Sequence, residues 1–149
     1  MPRRTQRYSK IGDTMKTIDL SGKWNYKTDI DNSQTIDSIK FENNNFNLLG
    51  STCDNHIGKK TEYFDKISKE AVRAPRERYE YIAPLWLQKK VNIPNDTDGK
   101  TVRLFMERVN IASELWIDGV KTDRQIIELS TPHIYNLTGK ITPGEHMFT

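Results

Sequence analysis

A chain of 149 residues, with 35% hydrophobic and 29% charged side chains, has the length of one domain. Its lean apolar content suits a thin two-layer core with long solvated loops. A formal charge of +3, with Lys and Arg interleaved among Asp and Glu and no basic stripe carrying aromatics, speaks against nucleic acid as a partner. The single Cys53 excludes an internal disulfide and a cysteine metal cluster, and no run approaches the roughly 20 apolar residues of a membrane span.

Met1 to Arg7 is basic but leads into no apolar stretch. Nothing there reads as a signal peptide, and a cytoplasmic location is the default expectation. Residues 1–16 lack periodicity and are expected to be a disordered basic tail, leaving 17–149 as the folded domain. Structure is expected to begin at Ile18, with Trp24 and Tyr26 alternating against Asn25 and Lys27 as a strand. Asp29 to Ser38 reads as a polar loop. Ile39 and Phe41 suggest a short strand broken by Asn43-Asn44-Asn45, and Phe46 to Gly50 runs toward a turn. Phe64, Ile67, Ser68, Ala71 and Val72 have helical spacing, which predicts a short amphipathic helix ended by Pro75. The whole polar connection from 51 to 80 is long for a compact domain, and such connections are more often functional than idle.

The clearest element follows. Leu85, Leu87, Val91 and Ile93 alternate with Trp86, Gln88, Lys90 and Asn92, as a strand with one buried face requires, and Pro94 ends it. Val102, Leu104 and Met106 alternate with Arg103, Phe105 and Glu107. Leu115 and Ile117 then alternate with Glu114 and Trp116 up to Asp118-Gly119, a dipeptide suited to a tight hairpin turn. These three strands are expected to pair as one antiparallel sheet. Val120 to Arg124 returns briefly, His133 to Thr138 alternates again, and Pro143-Gly144 turns the chain into a last strand from Glu145. Seven or eight strands with at most one short helix predict an all-β fold, a β-sandwich of jelly-roll type.

Seven pieces then stand in a telling order. They are Leu20-Ser21-Gly22-Lys23-Trp24, Leu48-Leu49-Gly50-Ser51, Tyr81-Ile82-Ala83-Pro84-Leu85-Trp86, Ile93-Pro94 with Gly99-Lys100, Leu115-Trp116-Ile117-Asp118-Gly119, Thr131 through Thr138, and Pro143-Gly144-Glu145-His146. From about residue 17 to Thr149 the chain resembles the N-terminal sugar-binding domain of glycoside hydrolase family 2, the β-galactosidase, β-glucuronidase and β-mannosidase group. The resemblance implies a galactose-binding-like jelly roll. In a parent enzyme it would stand before an immunoglobulin-like domain and a TIM barrel that carries both catalytic glutamates. It implies a carbohydrate partner, a β-glycoside, and no cofactor. The sequence departs from the family pattern at Ala83, Leu87, Asp118, Asp123 and Asn136. The family's Ile-x-Val-x-Asn segment would follow Thr149, so the last strand is expected to be incomplete and its neighbour to present a sticky edge.

Arg76, Arg78, Tyr79 and Tyr81 combine planar donors with aromatic faces, the two kinds of group that sugars bind, and by resemblance this loop points toward the pocket. The competing reading packs both tyrosines at the sandwich edge and pairs the arginines with Glu77 and Glu80. Trp24, Trp86 and Trp116 are expected in core or interdomain packing. His56, His133 and His146 are too scattered for a metal site. Asp29 to Asn32 and Asn95 to Gly99 resemble calcium loops in composition only. Retaining glycosidases need two carboxyl groups about 5–5.5 Å apart; Glu107, Glu114 and Asp118 are expected to face water instead. The expected function is a non-catalytic accessory domain of a family 2 glycosidase. A free-standing carbohydrate-binding module and a protein-interaction sandwich are the alternatives.

Overall fold

Leu85–Ile93 is the longest strand, and every other part of the sheet is placed by it. The computed structural model describes residues 15–41, 45–61 and 79–149. The basic tail up to residue 14, the break at Asn43-Asn44, the helix expected over Phe64 to Val72, and Arg76 and Arg78 lie outside the described residues. In chain order the strands are β1 (Gly22–Thr28), β2 (Asn45–Leu48), β3 (Lys59–Lys60), β4 (Tyr79–Glu80), β5 (Leu85–Ile93) and β6 (Arg103–Met106). Then come β7 (Ala112–Ser113), β8 (Trp116–Ile117), β9 (Val120–Lys121), β10 (Ile126–Ile127), β11 (His133–Asn136) and β12 (Gly144–Phe148).

One layer is a six-stranded antiparallel sheet in the order β2-β1-β5-β12-β8-β9. Tyr26 faces Leu87 across β1 and β5, and His146 and Phe148 face Val91 and Lys89 across β12 and β5. The second layer consists of the pairs β11-β6 and β10-β7, with β3-β4 as a further short ribbon. Val91, Ile93, Leu115, Ile117 and Phe148 from the first layer meet Tyr135 and Leu137 from the second. Trp24, Leu104, Met106 and Ile126 pack around them. Each large side chain removed from water here contributes about 1.5–3 kcal/mol, so this shared apolar layer holds the two sheets together. The fold is an all-β sandwich.

The three consecutive alternating runs do not form one sheet. β5 and β8 share a sheet but are separated by β12, and β6 crosses to the opposite layer to pair with β11. Alternation reports that a strand has one buried face; it does not name the partner strand, and a sandwich offers two inward faces. Ile39 and Phe41 are not in a strand either. The Ser38 and Ile39 amides both donate to Thr35 O, at 3.1 and 2.9 Å, so the backbone there closes a local turn. There are twelve strand segments among the described residues where seven or eight were expected, because six of them are only two residues long. The described helical content is one 3-10 turn at Asn95–Thr97. The Asp118-Gly119 hairpin is as expected: both residues have positive φ, 52° and 81°, and join β8 to β9. β12 runs between β5 and β8, and the sheet's edges are β2 and β9.

Candidate functional site

Three loops converge around Tyr79 and Tyr81. The first is the turn after β1. Asp29 is only 3% exposed. Its carboxylate accepts from the Ser33 amide at 2.9 Å, the Gln34 amide at 3.2 Å and the Trp86 indole at 3.2 Å. Burial pushes this carboxyl upward, but the Ser33 amide, the Trp86 indole and the Gln34 amide together outweigh it and hold Asp29 below the ordinary carboxylate range. The Tyr81 hydroxyl lies 3.0 Å from the Asp29 amide and donates to Pro84 O at 2.6 Å. Burial raises its pKa. Tyr81 therefore ties the 29–34 turn to the approach of β5.

The second loop runs from Leu49 to Gly58. Asn55 accepts from the Asn47 amide at 2.7 Å and donates to Asn47 O and Ser51 O, while Asp54 takes the Ser51 amide and hydroxyl, each at 2.8 Å. These bonds fix a polar loop that has no regular structure of its own. The third is the β3-β4 ribbon, with Lys60 opposite Tyr79 and Lys59 opposite Glu80. Gly58, at φ 103°, lets the ribbon close: a Cβ there would stand 2.2 Å from Glu80 O. The Tyr79 ring packs on His56 with centroids 4.9 Å apart. Of the expected sugar-facing residues, Tyr79 and Tyr81 are thus placed on one short segment beside His56 and Asp29.

Among the described residues, the carboxyl groups of Asp19, Asp29, Asp54, Asp96, Asp118 and Asp123 are each held below the ordinary carboxylate range, chiefly by hydrogen bonds they accept. No group of three His, Cys, Asp or Glu side chains could hold a metal among these residues, and no described helix is long and apolar enough to cross a membrane. Glu107 is exposed, Glu114 is half-buried and paired with Lys121 at 2.9 Å, and Asp118 is exposed and paired with His146.

One constellation was not foreseen. Ser113 Oγ lies 2.7 Å from His133 Nδ1 and 2.9 Å from the Tyr135 hydroxyl. The spacing is that of a nucleophile and its base, but the surroundings are not. His133 is 0% exposed, its Nε2 donates to Glu128 O at 3.2 Å, and Tyr135 donates to Ser113 O at 2.8 Å. The trio is a buried polar clamp joining β7, β11 and Glu128. The shared inward parity of His133, Tyr135 and Leu137 was the sequence signal for it, but nothing in the chain order marked Ser113.

The tryptophans divide. Trp24 packs against the core and donates to Leu20 O at 2.8 Å. Trp86 and Trp116 stack on the outer face of the six-stranded sheet, centroids 5.1 Å apart, with Lys121 above Trp116.

No family model matches the sequence, and no curated protein matches it either. Solved structures do match. A β-glucuronidase from Faecalibacterium prausnitzii superposes with a TM-score of 0.64 over 95% of this chain, at 18% identity. A β-D-glucuronidase for Dictyoglomus thermophilum gives 0.60 over 95% at 18% identity. The β-glucuronidase of Ruminococcus gnavus gives 0.58 over 87% at 13% identity. The chain spans only about a fifth of these proteins, 21%, 20% and 19% of their lengths. What the chain shares with them is the fold of one portion of a β-glucuronidase.

Proposed function

We propose that this chain is the jelly-roll, galactose-binding-like accessory domain of a family 2 β-glycosidase. It takes no part in bond cleavage itself and borders a sugar pocket built on a catalytic barrel. One observation carries the reading: 95% of the chain superposes on a fifth of a β-glucuronidase. In this reading Arg76, Arg78, Tyr79 and Tyr81 form the pocket-facing segment, with Tyr79 and the two arginines reaching the sugar and Tyr81 anchoring the segment on Asp29. The partners are a β-glycoside and the immunoglobulin-like and barrel domains of the parent enzyme.

The test is a chimera in which this chain replaces the matching fifth of the F. prausnitzii enzyme, assayed with p-nitrophenyl β-D-glucuronide. The chimera is expected to hydrolyse the substrate and the chain alone is not. Tyr79→Ala and Arg78→Ala are expected to raise KM several-fold with kcat little changed. Hydrolysis by the chain alone would overturn the non-catalytic reading. Unchanged KM in both variants would remove the pocket role.

A further inference from the structure

The outer face of the second layer carries an apolar patch with charges set symmetrically about it. Phe105 and Ile134 face each other across β6 and β11 and point away from the core, 58% and 48% exposed. Leu129, 77% exposed, shares a cleft of about 240 Å³ with Glu107, and Ile127, two residues earlier, is 65% exposed. Together they expose roughly a few hundred Å² of apolar surface, the size of the largest patch on a typical monomer, which is often functional. Strand parity puts Arg103, two residues before Phe105, on this same face, and Glu107, one residue past the end of β6, is exposed beside Leu129 at the cleft. Elsewhere on the surface Lys90, Lys121 and Lys140 pair with Glu145, Glu114 and Asp123. Arg103 and Glu107 have no such partner among the described residues.

We infer that this face binds a second copy of the chain. A two-fold axis through Phe105 places two β6 strands antiparallel, face to face. Phe105 and Ile134 then meet their own equivalents, and Arg103 of each copy meets Glu107 of the other. One positive and one negative charge on opposite sides of an aromatic centre along the chain make a self-complementary surface, which is what an isologous contact requires. The patch is smaller than the roughly 800 Å² per partner of a standard interface, so the dimer is weak and reversible.

Sedimentation velocity of the full chain over a concentration series tests this. A monomer–dimer equilibrium in the micromolar range is expected. Phe105→Glu and Leu129→Glu should each weaken it about tenfold or more while leaving the thermal melt unchanged, because both side chains are exposed. Leu49→Glu, 90% exposed and distant in the sheet order, should leave it intact. Arg103→Glu and Glu107→Arg should each weaken the dimer, and the double exchange should restore it. A chain that stays monomeric at every concentration, as it would if another protein covers this face, overturns the inference. A dimer indifferent to Phe105→Glu, or a double exchange that fails to restore, does so equally.

Discussion

His146 shows how a single side chain sets a pH window. Its Nδ1 lies 2.6 Å from Asp118 Oδ2 and its Nε2 is 2.9 Å from Thr142 O, so both ring nitrogens donate and the imidazolium is the favoured form. Asp118 raises the His146 pKa above its ordinary 6.5 against a smaller burial effect, and Thr142 O adds to the rise. The Met147 amide, then His146, lowers that of Asp118 below 3.8. A raised histidine contributes its stability fully below 6.5 and loses it as pH rises through the folded value. A lowered carboxyl contributes above 3.8 and loses it as pH falls through its own. The pair therefore stabilises between these limits. Asp118 is half exposed, so the contribution is that of a surface pair, roughly 0.2–1 kcal/mol. Asp118→Asn keeps the turn and an acceptor for the Met147 amide. Its melting temperature should fall a few degrees at most below the parent near pH 5.5, with the gap closing toward pH 8.5; a gap independent of pH would contradict this. In the buried clamp, Tyr135→Phe removes a donor to Ser113 O at a position only 1% exposed. A loss of about 1–3 kcal/mol is expected by urea denaturation, against near zero if the hydroxyl were idle.

At the level of elements, Gly58 holds the β3-β4 ribbon and with it Tyr79. Gly58→Ala would drive a methyl into Glu80 O and force an L side chain to φ 103°. It should destabilise by about 2 kcal/mol or more and separate the His56 and Tyr79 rings, seen as loss of ring-current shifts in NMR spectra. The long strand β5 was legible because nine residues alternate against one buried face and stop at a proline. β11, β12 and the Asp118-Gly119 hairpin were legible for the same kind of reason, a period or a turn dipeptide. Segments of two residues such as β7 and β10 have no period to read. Pairing was not legible either, since Phe105 alternates identically whether β6 lies beside β5 or across from it. Of the candidate site, the closeness of Tyr79 and Tyr81 was legible as one short segment, but Asp29 and His56, which contact them, lie some 50 and 23 residues away in sequence and had no local signal.

On the scale of the whole molecule, the sandwich presents faces and loops on either side of a shared core. Its core is a thin shared layer, its convergent loops sit around Tyr79 and Tyr81, and its second-layer face carries the Phe105 patch. The central run of the first sheet joins β1, β5 and β12, which begin at residues 22, 85 and 144. A chain emerging from the ribosome can therefore form β1 and β5 long before β12 exists to cover the inner flank of β5. Until β12 arrives, Val91 and Ile93 lack the residues that pair with them, His146 and Gly144, and the nascent chain holds β5 with that edge open. Such long-range closure also implies slow refolding, on the millisecond-to-second scale of non-local β topologies.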